Sequence, residues 1–226
     1  MKRYDKKRND IRNAAMARKK LRIVLSSGNR DKLREVAEIL SAKWLEIVPL
    51  GDFPAAPEPR EGRDSLKDNA LMKARLARDF TGLPAIGDDT GLEVDILDGK
   101  PGVLSSRYSG ENATYSDNVK KLLEVLQSIP KEQRTARFRC VVALASPGGN
   151  EKIFRGQCQG HVAFEPRGEN GFGYDPVFIP EGKKSSFAQL SSVLKNRLSH
   201  RGRALRSLKR HLRKMYLESQ GRISDP

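Results

Sequence analysis

The sequence predicts an α/β fold large enough to bury its own core, and three observations carry that reading. Apolar runs of strand length alternate with stretches of helical periodicity from Leu21 onward, beginning with residues 21–25 and 31–40. The second half opens with two long strand-like runs, 136–146 and 151–164, separated by Pro147-Gly148-Gly149-Asn150, the pattern of an antiparallel hairpin. The chain has 226 residues, enough for one extended α/β domain or for two lobes sharing a cleft, without a disulfide staple.

Composition narrows the function classes. Net charge is +15, but residues 1–20 hold +7 of it and residues 201–226 hold +6, so the body between them carries only +2. Basic ends of this kind are solvated, and any pull on nucleic acid is a weak by-product. No apolar run reaches the length of a membrane span, and no secretory apolar region opens the chain. Cys140 and Cys158 fall in strand-like runs and read as buried thiols, which makes a reducing, cytoplasmic setting the default. Residues 1–20 lack aliphatic periodicity and Met16 stands five residues before the first strand, so either translation starts at Met16 or these residues form a disordered extension. A short flexible tail is expected over 218–226.

The elements follow in order. Residues 21–25 form a buried strand, and 31–40 places Leu33, Val36, Ala37 and Leu40 on one helical face. Between them lies Ser27-Gly28-Asn29-Arg30-Asp31-Lys32, where loop amides, the helix dipole and the Lys32 ammonium converge as a phosphate site would require. It is not a Walker loop, and by itself Ser-Gly-Asn is a weak signal, more often an ordinary helix-start turn. A strand over 46–50 leads into a proline-broken loop, 51–63, that carries Glu58 and Glu61. Ser65 can cap the next helix, which runs to Phe80, with Asn69 and Lys73 four apart on one face, a spacing also at home on a solvated surface.

Residues 83–87 form a short strand ending at an acidic turn, Asp88-Asp89, and 92–97 alternates as the returning strand. Adjacent carboxylates repel, so the pair fits either a simple acidic turn or a divalent-metal site. Residues 99–110 make a glycine-punctuated loop suited to the wall of a cleft, and 112–128 is amphipathic, with Val119, Leu122, Leu123 and Leu126 facing inward. After the hairpin come Gly171-Phe172-Gly173-Tyr174-Asp175-Pro176, whose aromatic rings could give a planar ligand a face, and an apolar run over 177–179. Lys195 precedes Ser199-His200-Arg201 at the start of a basic helix running to about Leu217. Taken singly, Phe172 reads as core and His200 as a helix-start residue.

The order of these segments is more specific than any one of them. Ser-Gly-Asn-x-x-Lys, Asp-Asn-Ala-x-x-Lys-Ala, Asp-Asp-Thr-Gly-Leu, Pro-Gly-Val-x-Ser-x-Arg-Tyr, Gly-Phe-Gly-Tyr-Asp-Pro and Lys-x-x-x-Ser-His-Arg together resemble the inosine/xanthosine triphosphate pyrophosphatase family, from about Leu21 to about Leu212. The resemblance implies an elongated, two-lobed fold with a mixed, twisted sheet flanked by helices, a central cleft, and a homodimer. It implies hydrolysis of dITP, ITP and XTP to monophosphate and pyrophosphate with Mg²⁺. Carried onto this chain, residues Ser27 to Lys32 would hold the triphosphate, and Asp89 would be metal ligand and general base. Thr90 would touch substrate. Phe172, Gly173, Tyr174, Asp175, Lys195, His200 and Arg201 would surround the base. Glu61, eight residues before Asn69, is the expected second metal ligand, with Glu58 as the other choice. The domain would span 21–217. A Maf-like pyrophosphatase of modified or pyrimidine nucleotides and a noncatalytic RNA-binding protein using its basic ends are the rival readings.

Overall fold

The computed structural model describes residues 20–59, 62 and 65–222. The expected extension before Lys20, the start at Met16, Glu61 and the last four residues lie outside the described residues.

Strand β1 (Leu21–Ser26) feeds helix α1 (Arg30–Leu40), whose first turn is closed by Asn29: its side chain accepts hydrogen bonds from the amides of Asp31 and Lys32. Strand β2 (Leu45–Pro49) pairs parallel to β1. Helix α2 (Leu66–Thr81) starts on the predicted Ser65 cap and stops at Gly82, whose φ of 67° is the left-handed turn that a glycine permits. Strands β3 (Ala85–Val94) and β4 (Pro101–Gly102) precede helix α3 (Tyr115–Val125), which opens on a capping box between Thr114 and Asp117. The predicted hairpin is β5 (Thr135–Ala145) and β6 (Glu151–Val162). Strand β7 (Phe178–Pro180) and helices α4 (Ser192–Leu198) and α5 (His200–Ser219) complete the chain; α5 runs two residues past the expected end at Leu217.

Among the described residues these strands form one seven-stranded mixed sheet in the order β2-β1-β3-β5-β6-β7, with β4 beside β3. The β1 pairs are parallel and the rest antiparallel. The long strands β3, β5 and β6 thread two lobes. In the first lobe, alternate residues of β5 divide between two helical layers: Cys140, Val142 and Leu144 pack with α1 and α5, and Val141, Ala143 and Ala145 with α2. At the other end Leu92, Val94, Phe138 and Cys158 pack with α3, Tyr174, Phe178 and Phe187.

The acidic turn expected at Asp88-Asp89 is instead the middle of a strand. β3 pairs with β5 without interruption from Ala85 opposite Ala145 to Val94 opposite Ala136. The flanking glycines permit close approach rather than a turn. A Cβ on Gly87 would stand 2.5 Å from the Ala70 carbonyl oxygen of α2, and one on Gly91 2.4 Å from that of Gly102. Gly156 likewise lets the start of α5 lie directly on β6.

Candidate active site

Strand alternation places the two adjacent acids on opposite faces of the sheet, so they do not share one repulsive site. On the α2 face, Asn69 Nδ2 donates to Asp89 Oδ2 at 2.9 Å, and Lys73 Nζ lies 3.4 Å from Asp89 Oδ1 while also donating to the Asp88 carbonyl at 3.1 Å. Asn69 and Lys73 are buried, not solvated; their shared helical face is what reaches Asp89. On the α5 face, Asp88 Oδ2 lies 3.3 Å from Arg201 Nε and 3.6 Å from Lys32 Nζ. Burial would raise the Asp88 carboxyl, but Lys32, Arg201 and Lys73 outweigh it and hold the group at about 2.

Arg201 continues the network. Its guanidinium donates to Glu35 of α1 and, at 3.2 Å, to Thr90 Oγ1, so with Asp88 three acceptors surround it. Lys195 ties Glu35 to Asp175, and the Asp175 carboxylate also accepts the Phe172 amide at 2.8 Å. Burial raises Glu35, yet Arg201 and Lys195 bring it below its ordinary value. Asp175 stays above its own, because burial and the neighbouring Glu35 outweigh Lys195 and the Phe172 amide. His200, stacked 4.5 Å from Phe138 at 16°, is held well below the usual imidazole value by burial and by Arg201, Lys195 and Lys32. Both its ring nitrogens are buried without a hydrogen-bond partner. Burial pushes the Cys140 thiol, on β5 behind Thr90, up to about 12.

A cavity of about 370 Å³ opens beside this network. Of the residues singled out in the sequence, Ser27, Gly28, Asn29, Lys32, Asp89, Thr90, Phe172, Gly173, Tyr174, Asp175, Lys195, His200 and Arg201 line it. Arg30 is exposed, and neither it nor Asp31 lines the cavity. Helix geometry explains this: both sit in the first turn of α1, Arg30 is turned to solvent and Asp31 is paired with Arg34 at 3.7 Å. Tyr174 is buried with its hydroxyl on the Ser105 carbonyl at 2.9 Å, so it braces the wall. Phe172 lies under two cations, 4.7 Å from Lys195 Nζ and 5.4 Å from the Arg201 guanidinium. Two of the loop amides expected to hold phosphate, those of Asp31 and Lys32, are already capped by Asn29, and the Asn29 amide turns to Ser27 Oγ at 3.2 Å. Fewer of these amides are therefore left open than the sequence implied, and Ser27, Asn29 and Lys32 are what the loop brings to the cavity besides Gly28.

Glu35 and Tyr115 were not singled out from the sequence. Glu35 sits on a helix face that could as well be solvated, and no local signal marks it; Tyr115 stands at the start of a helix whose core face lies elsewhere.

The sequence model of the Ham1 family matches residues 23–211, which takes in every element from β1 to α5. The chain belongs to the Ham1 family. Among its Ham1 relatives, the dITP/XTP pyrophosphatase of Geobacter sulfurreducens is 51% identical over 191 residues, covering 84% of this chain and 96% of the relative. That of Desulforamulus reducens is 42% identical over 200 residues, covering 88% and 100%. The fold is shared too. A Ham1 protein from Coxiella burnetii superimposes with a TM-score of 0.78 at 41% identity, covering 86% of this chain and 99% of that one. The Staphylococcus aureus Ham1 protein gives 0.76 at 34% identity, covering 86% and 99%. In this Ham1 chain the matched segments meet at the cavity from both lobes: the Ser27–Lys32 loop from the first, the Phe172 loop from the second.

Proposed function

We propose that this protein hydrolyses the deaminated purine nucleoside triphosphates dITP, ITP and XTP to monophosphate and pyrophosphate, cleansing the nucleotide pool. The observation that carries the reading is the single cavity on which Lys32, Asp89 and Phe172 all open. The names of the relatives support the same reaction.

The residues divide the work along the cavity. Ser27, Gly28, Asn29 and Lys32 receive the phosphates. Asp89, oriented by Asn69 and Lys73, accepts the proton of the water that attacks the α-phosphorus. Phe172 gives the purine a face, and Lys195 and Arg201 hold that ring in place through cation–π contacts. Neutral His200 brings one donor and one acceptor to the base edge, and Arg201 can add N–H donors beyond the three used inside the protein. A 6-keto purine meets such donors with an acceptor where adenine would present a competing amino group, so deaminated bases are favoured.

The donor set suits a magnesium ion. Asp89 and Glu58 bring carboxylates to the cavity beside the phosphate-facing Ser27–Lys32 loop, while the third lining carboxylate, Asp175, is tied up by Lys195. Magnesium needs only one or two carboxylates beside phosphate oxygens and water. Asp89 and either Glu58 or Glu61 would hold it, and when bound it would neutralise phosphate charge and stabilise the leaving pyrophosphate. A homodimer follows from the family resemblance. A cytoplasmic setting rests on two unbridged, buried cysteines, and among the described residues no helix is long and apolar enough to cross a membrane.

Pyrophosphate release from ITP, XTP, GTP and ATP, with Mg²⁺ and with a chelator, tests the reading. ITP and XTP should turn over far faster than ATP, and chelation should abolish the reaction. Asp89→Asn should lower kcat about 10²- to 10⁴-fold, the usual worth of a positioned base, with the fold retained. Wild-type kcat in that variant would remove Asp89 from the chemistry, and release from every triphosphate alike would sink the selectivity.

A further inference from the structure

Tyr115 bridges the two walls of the cavity. It is the first residue of α3, inside the Thr114–Asp117 capping box, so its backbone is anchored to the second lobe. Asn118, one helical turn further, fixes α3 to the neighbouring loop by accepting the Ser109 amide at 2.8 Å and donating to the Ser106 carbonyl at 3.0 Å. From this base the Tyr115 hydroxyl crosses to the phosphate loop of the first lobe. Asn29 Nδ2 donates to it at 2.8 Å, and the hydroxyl lies 3.4 Å from Asp31 Oδ2, towards which its own proton can turn. Its ring stands 5.8 Å from that of Phe172 at 41°.

The hydrogen-bond directions make the hydroxyl and the helix cap agree. Asn29 Oδ1 is committed to the amides of Asp31 and Lys32, so its NH₂ must point away from the helix and needs an acceptor. A tyrosine oxygen whose proton faces Asp31 is such an acceptor. The contact thereby fixes the loop that receives phosphate, while the ring prolongs the aromatic face that receives the base.

We propose that Tyr115 is a positioning residue with two separable parts: the hydroxyl sets the geometry of the phosphate loop through Asn29, and the ring, with Phe172, confines the nucleoside end of the substrate. The inference rests on the pyrophosphatase reading, and the comparison of variants separates the two. Wild-type enzyme that releases no pyrophosphate from any triphosphate overturns the reading of the site itself.

With an active wild type, Tyr115→Phe and Tyr115→Ala are compared for KM, kcat, inhibition by inorganic pyrophosphate, inhibition by inosine, and thermal melting. Tyr115→Phe should raise KM for ITP and XTP by the same factor, about two- to tenfold, the range that one net hydrogen bond supports. It should weaken pyrophosphate inhibition equally and leave kcat, inosine inhibition and melting unchanged. Tyr115→Ala should weaken inosine inhibition as well. A merely structural tyrosine would move the melting point and not this split. Wild-type KM and pyrophosphate inhibition in Tyr115→Phe, or a lowered KM, would overturn the assignment, as would wild-type inosine inhibition in Tyr115→Ala.

Discussion

Asp88 and Asp89 are neighbours in the chain with different surroundings, and substitution can separate their parts. Asp88 is held at about 2 against an ordinary 3.8, so it binds a proton less readily folded than unfolded. Its stabilising effect is complete above about pH 4 and is lost as pH falls through the range from about 4 to about 2. Asp88→Asn should therefore melt below wild type at pH 6, by up to about 3 kcal/mol, the lower end of the cost of breaking a buried pair because Glu35 still holds Arg201. The gap should close by about pH 2; a gap independent of pH would show that the charge is not what stabilises. The sequence could mark Asp89 by its motif and Lys32 by its loop. It could not show that Asp88 balances Arg201 and Lys32, because adjacency along the chain conceals the alternation of a strand.

At the scale of elements, the close packing of α2 on β3 positions Asp89, the proposed base. Gly87→Ala would drive a methyl against Ala70 O at 2.5 Å and Lys73 Cβ at 2.6 Å. The expected cost is about 1–3 kcal/mol in urea unfolding, as for other overpacked sites. Lys73 would also shift from Asp89, so kcat should fall even where the protein remains folded; unchanged kcat would deny that this packing sets the base. The same glycines misled the reading of the sequence, since Gly-Asp-Asp-Thr-Gly carries every signal of a turn and only the path of α2 reveals why the strand continues. Elements whose signals were local came through. The Ser65 cap, the 147–150 turn and the apolar face of α3 needed no tertiary information to be legible.

For the whole molecule, the charged ends and the reaction separate. The family match begins at residue 23, after the first basic segment. Deleting residues 1–20 should leave pyrophosphate release from ITP within about twofold of the full chain, since among the described residues the groups that line the cavity all lie from Ser27 onward. A protein that bound RNA tightly, lost that affinity on deletion and released no pyrophosphate would instead answer to the RNA-binding alternative. The two-lobed, mixed-sheet architecture was legible chiefly through the ordered set of motifs, because pairing between β3 and β5 depends on contacts some fifty residues apart that no local window contains.

The two cysteines of the chain complete the account. Cys140 is raised to about 12 and Cys158 is also raised, each by burial, so both remain thiols at neutral pH. Oxidising and nitrosating reagents attack the thiolate, and nitrosation is also a chemical route from an amino purine to its keto form. An enzyme that clears deaminated nucleotides thus keeps its two cysteines in the form least open to the chemistry that generates its substrates.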